Sequence, residues 1–151
     1  MDEQVHAFLA FATHVRGYSL HSVRAYRGDL DLFVGWCAKE RNITAIGDVD
    51  SNAIRAFLAH RFAADAPSTL RRRLSSLRSW LRWALREGLM TTSPAEHIDS
   101  PKQAQNLPRG IGVDEVFALC DAPAGSEALR VRDRAILELL YATGMRVGEM
   151  C

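Results

Sequence analysis

Long apolar runs are absent from these 151 residues: nothing approaches the roughly 20 apolar residues that cross a bilayer as a helix, so no membrane association is expected. Cysteine is scarce. Cys37, Cys120 and Cys151 stand far apart without metal-ligand spacing, and an odd count argues against a disulfide framework, so buried or incidental thiols are expected, with no metal site. The five histidines (6, 14, 21, 60 and 97) show no ligand spacing either. Alternating runs of strand length and internal repeats are both missing, which points to an all-α chain of about one domain's size. The N-terminus carries Asp2 and Glu3 rather than a cleavable apolar segment, and a cytoplasmic address is expected.

The most telling scarcity is of acid between residues 51 and 86. The net charge of +1 hides it. Residues 1–50 carry five Lys/Arg and seven Asp/Glu, and residues 107–151 carry five arginines and seven acids. Residues 51–86 carry eight arginines (55, 61, 71, 72, 73, 78, 82 and 86) against Asp65 alone, a local charge of +7. Positive charge gathered in one stretch is the footprint of a polyanion partner, most often nucleic acid.

What is present is helical periodicity. Val5, Phe8, Leu9, Ala12 and Val15 recur at three- and four-residue steps and predict a helix over 3–15, stopped by Gly17. Ser19 caps a second helix over about 20–39, with Leu20, Val23, Tyr26, Leu30, Phe33, Val34 and Cys37 as its apolar stripe. Asp48 or Asp50 caps a third, containing Ile54, Phe57, Leu58 and Phe62. A fourth, over about 69–87 with Ser68 as its cap, buries Leu70, Leu74, Leu77, Leu81, Ala84 and Leu85. Four helices of this size can enclose one core. Prolines 94, 101 and 108 with Gly110 and Gly112 then mark an interdomain linker over 91–112. Beyond it the spacing predicts a short helix over 113–121 and a longer one over about 131–143, ended by Gly144.

The fourth helix carries a candidate interface. Arg71, Ser75, Arg78, Arg82 and Arg86 run along one face, bordered by Arg72, Ser76, Ser79 and Trp83. An α-helix fits the major groove, arginine suits phosphates and guanine edges, and serines between arginines keep the face slim. An exposed structural helix normally mixes charge signs, and this one lacks glutamates at four-residue spacing. Arg71, Arg72, Ser75, Arg78, Ser79 and Arg82 are therefore the candidate contacts to double-stranded DNA. Trp80, beside Leu77 and Leu81, fits a core; Trp83 fits either a core or a stacking platform.

The order of these parts carries a resemblance. Ser19-Leu-His-Ser-Val-Arg-Ala-Tyr26, then Leu74-Ser-Ser-Leu-Arg-Ser79, Ser93-Pro94, Ser100-Pro101-Lys102, Leu107-Pro108-Arg109, Arg132-Asp133-Arg134-Ala135 and finally Leu139-Leu-Tyr-Ala-Thr-Gly-Met-Arg146-Val-Gly-Glu149 together resemble a tyrosine site-specific recombinase of Xer type, or a close relative among integron and phage integrases. The resemblance covers nearly the whole chain. It implies a SAM-like core-binding bundle over 1–90, the linker over 91–112 and the start of a mainly-α catalytic domain over 113–151. It implies cleavage and rejoining of DNA through a 3′-phosphotyrosyl link without a cofactor, in a tetrameric synapse with other recombinase protomers.

Within the resemblance Arg146 matches the first catalytic arginine, a guanidinium that meets charge gathering on the nonbridging phosphate oxygens. The plainer alternative is an arginine paired with a local acid such as Glu149. Met145 and Gly148 depart from the commoner leucine and serine. The family's lysine hairpin, His-x-x-Arg segment, late His or Trp and tyrosine nucleophile would lie beyond Cys151, and Tyr18, Tyr26 and Tyr141 do not match the nucleophile. The chain is thus expected to bind DNA weakly without cutting it, and the apolar side of residues 113–151, including Leu139 and Leu140, to stay partly exposed. Two other readings remain open from sequence: a stand-alone helical DNA-binding module, and a helical protein-interaction scaffold.

Overall fold

The computed structural model describes residues 1–100, 110–123 and 125–150. Its elements are α1 (Asp2–His14), α2 (Leu20–Arg41), a 3₁₀ turn (Ile46–Asp48), α3 (Ser51–Arg61), α4 (Pro67–Arg86), α5 (Val113–Asp121), α6 (Ala128–Thr143) and α7 (Val147–Met150). No strand occurs among the described residues. The chain divides into two compact units, Met1–Ala104 and Gln105–Cys151.

In the first unit, local chemistry sets the helix ends. Ser19 Oγ accepts from the Ser22 N–H at 3.2 Å and opens α2, and Asp50 Oδ1 accepts from the Ala53 N–H at 2.7 Å and opens α3. α2 runs two residues past its expected end and closes on Asn42, whose left-handed backbone (φ 54°) returns its N–H to the Cys37 carbonyl. α4 begins earlier than expected. Ala66 is its N-cap and Pro67 its first residue, where a missing N–H costs nothing, so Ser68 lies inside the first turn rather than capping it.

The apolar stripes meet in one core. Leu30, Phe33, Ile54, Phe57, Leu74, Leu77, Trp80 and Leu81 are fully buried, joined by Val5, Phe8 and Leu9 from α1. Phe33 stands edge-on to Phe57, with ring centres 5.1 Å apart, and to Trp80 at 6.4 Å. Trp80 directs its indole N–H toward the Gln4 carbonyl at 3.4 Å, which satisfies the polar edge of a buried ring. Trp83 is also buried and lies 5.9 Å from Phe8, so packing rather than base stacking accounts for it. Cys37 is buried, and desolvation raises its thiol pKa to about 11, leaving it protonated and inert at neutral pH.

The core extends past α4. Ala95 and Ile98, within the span read as linker, are buried in it. Arg78 ties this segment down: Nε donates to the Ala95 carbonyl at 3.3 Å, Nη1 to Ser100 Oγ at 3.1 Å, and Nη2 to the Ile98 carbonyl. Ser51 Oγ adds a bond to the Pro94 carbonyl at 2.8 Å. The remaining linker positions 101–109 lie outside the described residues.

The second unit packs α5 against α6. α6 starts at Ala128, three residues before the sequence suggested, with Glu127 as N-cap. Phe117 and Tyr141 meet at 6.4 Å, and Arg134 reaches Asp121 at 3.2 Å and Glu138 at 2.8 Å. Cys120 is the one buried residue among those described in this unit. Leu139 is 44% exposed and Leu140 half-buried, beside an open Leu129, Val131 and Val147.

Candidate nucleic-acid interface

Asp29, on the face of α2 that meets α4, is 1% exposed. A buried carboxylate is costly unless paired and hydrogen-bonded. Three groups of α4 meet that need: Ser76 Oγ donates to Oδ2 at 2.8 Å, Arg72 Nη1 donates to the same oxygen, and Arg73 Nη1 donates to Oδ1 at 3.0 Å. Arg73 also donates through Nε to Asp65 at 2.9 Å, and Arg61 clasps Asp65 with two bonds of 3.0 and 2.9 Å. Hydrogen bonding from Arg61, reinforced by Arg73, lowers the Asp65 pKa to about 2. Arg61, Arg72 and Arg73 thus neutralise two carboxylates and fasten α2, α3 and α4 together.

The candidate residues therefore separate. Arg72 is half-exposed but engaged with Asp29, and Arg78 holds the segment after α4. Arg71, Ser75 and Arg82 are exposed, and Ser79 is half-buried with its hydroxyl 3.4 Å from the Tyr26 hydroxyl. The Arg82 side chain makes no hydrogen bond or ion pair with another described residue. At the α2 border, Arg24, Ala25, Gly28, Asp29, Leu32, Arg72 and Arg73 line an open hollow of about 390 Å³, so its arginines share it with one carboxylate. Toward the C-terminal end of α4, Arg82 and Arg86 are joined by Arg16, delivered by the α1–α2 turn. Sequence reasoning passed over Arg16 and Arg24, because only packing places their helices beside α4. A larger hollow of about 860 Å³, whose lining includes Asp50 and Glu96 but no arginine, suits a polyanion poorly.

Arg146 sits where a tight turn presents it. Gly144, at φ 63°, ends α6 and returns its N–H to the Leu140 carbonyl. Thr143 Oγ1 donates to the Leu139 carbonyl at 2.7 Å and accepts from the Met145 N–H at 3.3 Å. Glu149 accepts from the Arg146 backbone N–H at 2.7 Å and from its Nη1 at 3.2 Å. The local pairing foreseen as an alternative is therefore present, in the manner of a capping box at the start of α7. The Arg146 side chain is 87% exposed, a position in which a single ion pair holds it weakly. The five histidines are all exposed. Among the described residues no cluster of His, Cys, Asp or Glu could hold a metal ion, and no helix is long and apolar enough to cross a membrane.

A helical bundle with an arginine-faced fourth helix, followed by a separate helical unit, defines the class. Residues 5–88 match the phage integrase N-terminal SAM-like domain, and the chain belongs to that family. It is 38% identical to the tyrosine recombinase XerD of Lacticaseibacillus casei, over 95% of this chain and 48% of that protein. It is 38% identical to the tyrosine recombinase XerC of Xanthomonas campestris pv. campestris strain B100, over 97% of this chain and 45% of that protein. It is 40% identical to the tyrosine recombinase XerC of Herpetosiphon aurantiacus, over 99% of this chain and 49% of that protein. The chain spans about half the length of the curated relatives it matches.

Proposed function

We propose that this chain is the DNA-gripping part, and the opening of the active site, of a cytoplasmic tyrosine site-specific recombinase. The observation that carries the proposal is the identity of 38% to recombinases of this class across almost the whole chain, a span that takes in both α4 and Arg146. In this reading residues 1–90 clasp double-stranded DNA, and residues 113–151 begin the catalytic domain. The span between is the interdomain linker, and the burial of Ala95 and Ile98 supports assigning its first residues to the bundle.

The chemistry asks two things of these residues. Phosphates on the duplex must be neutralised, which Arg71 and Arg82, with Ser75 and Ser79 between them, are arranged to do from one helix face. At the reacting phosphodiester, a tyrosine oxygen forms a bond to phosphorus while the bond to the 5′ oxygen breaks, and charge builds on the nonbridging oxygens. Arg146 meets that charge with a forked pair of N–H donors that stays protonated throughout. Glu149 orients the guanidinium beforehand and yields it to phosphate, which the high exposure of the pair permits. Rejoining reverses the step with a partner strand, which calls for further protomers in a tetrameric synapse.

Duplex binding measured against salt tests the first demand. The expected result is a linear fall of log affinity with log salt, weakened at every salt by Arg71→Glu or Arg82→Glu. Salt-insensitive binding, or no effect of either substitution, would favour a protein-interaction scaffold. For Arg146, Arg146→Ala in the intact gene product should lower covalent protein–DNA formation on a nicked duplex at least ~100-fold while leaving DNA affinity within a few-fold.

A further inference from the structure

We infer that Arg16, Arg82 and Arg86 form a preshaped seat for a single phosphodiester of the DNA backbone. This rests on the DNA-binding reading above and specifies one contact within it. The three arginines open onto one hollow of about 80 Å³, whose remaining lining is Phe8, Phe11, Ala12, Tyr18 and Ser79. No carboxylate lines it. The hollow has room for one tetrahedral oxyanion between the three guanidiniums.

The fold supplies the convergence. Gly17, at φ 63°, turns the chain sharply after α1, and the Tyr18 N–H closes that turn on the Ala12 carbonyl at 3.0 Å. This brings Arg16 and Tyr18 beside α4, where Arg82 and Arg86 stand one turn apart. Aromatic faces hold two of the guanidiniums in place. Arg86 lies over the Phe11 ring at 5.1 Å and Arg16 over the Tyr18 ring at 5.9 Å. Tyr18 is itself stacked on Tyr26 at 5.8 Å, and Tyr26 reaches the Ser79 hydroxyl. A ring quadrupole steadies a guanidinium through its face and leaves its in-plane N–H donors pointing outward, unlike a carboxylate, which consumes them. Three like charges held together without an acid leave donors in want of an anion. Ser79 and Tyr18 line the same hollow.

The test exploits the difference between three arginines on one phosphate and three arginines on three. Duplex affinity is measured from 50 to 300 mM salt for the chain and for Arg16→Gln, Arg82→Gln, Arg86→Gln and the triple variant, with Arg71→Glu as reference. A shared seat predicts that each single change weakens binding several-fold, and that the triple is far less than the product of the singles. The slope of log affinity against log salt should fall by about one in the triple, the worth of a single phosphate. Arg86→Lys, which keeps the charge and loses the fork, should retain the slope with lower affinity, and it guards against misfolding of the glutamine variants. A slope change of about three would mean separate contacts and overturn the seat. No change in the triple alongside a weakened Arg71→Glu overturns the seat and leaves the DNA reading standing; no change in any variant removes both. Inorganic phosphate at constant ionic strength is the second probe, followed through the guanidinium Nε–H signals of the three arginines. Joint movement of those signals with phosphate, together with an unchanged DNA slope in the triple, would make the hollow a small-anion site and overturn the assignment to DNA.

Discussion

At the N-terminal end of α4, Arg72 and Arg73 turn onto Asp29, and Arg73 continues to Asp65 and Arg61. Further along the same helix, Arg82 and Arg86 face Arg16, three aromatic rings and no carboxylate. One side chain serves two purposes on one element. Where a buried acid is in reach, arginine is an internal brace whose charge is spent within the fold. Where aromatic faces are its neighbours, its donors remain available to a ligand. The local charge of +7 over 51–86 therefore overstates what a polyanion meets, since three of the eight arginines in that stretch are committed to Asp29 and Asp65.

Removing the acid at the braced end should have the largest consequence. Asp29→Ala leaves Arg73, whose side chain is 13% exposed, without half of its compensation, strips Arg72 of its acceptor and leaves Ser76 only the Arg72 carbonyl at 3.1 Å. Breaking a buried pair in this way costs about 3–5 kcal/mol. Chemical denaturation should show that loss. A change under about 1 kcal/mol would mean the braced end is not structural and the contrast along α4 is false.

Acid titration probes the same end from Asp65. Its folded pKa is lowered to about 2 from an ordinary 3.8, through the Arg61 bonds first and Arg73 second. A depressed carboxylate pKa contributes stability that is present above the unfolded value and disappears as pH falls through the folded one. Stability should therefore decline between about pH 4 and pH 2, by at most ~2 kcal/mol once solvent screening of the pair is allowed for. Asp65→Asn should flatten this part of the profile.

At the ligand-facing end the effect moves from stability to binding. Arg82→Glu should weaken duplex affinity by about tenfold at low salt, with the difference narrowing as salt rises, because phosphate contacts are screened. Its folding stability should stay within ~0.5 kcal/mol of the parent, as expected for an exposed position with no partner to lose. A large loss of stability instead would place Arg82 among the braces.

Much of this was legible before any coordinates. Periodicity located all four bundle helices, because apolar side chains on α1 to α4 recur at helical spacing and each has one core to face. The cap at Ser19 and the stop at Gly144 follow from local chemistry, and of the two acids that could open α3, Asp48 and Asp50, the structure uses Asp50. The start of α4 was not: a serine after proline looks like a cap, but proline at the first helical position shifted the boundary upstream. The division among the arginines was also hidden. Asp29 lies 43 residues before Arg72 and 47 before Ser76, and nothing local marks it as the acid those groups would meet. Arg16 was likewise invisible as a partner of Arg82, since only the turn at Gly17 and the α1–α4 packing unite them. Arg146 is singled out by its sequence context alone. Its geometry, exposed and paired with Glu149, fits both a structural cap and a reserve for phosphate.

The smallest expected effect tests the α2 surface beside the braced end of α4. Gly28 occupies the middle of α2 beside Arg24 and Arg72, on the open hollow of about 390 Å³. A Cβ placed there would meet nothing within 4 Å, so the fold itself does not require glycine. Glycine within a helix costs roughly 0.5–1 kcal/mol relative to alanine. Gly28→Ala should therefore stabilise the bundle by about that amount in thermal or chemical denaturation. If the sugar–phosphate backbone passes close to α2 here, the added methyl should also weaken duplex binding a few-fold, so that stability and affinity move in opposite directions. Gly35→Ala is the internal control: its site is equally open, on the same helix and outside that hollow, so it should give the same gain in stability with unchanged binding. Equal DNA affinity for both variants would show that the duplex does not approach α2, and would leave Arg16 and the face of α4 as the ligand-facing surface.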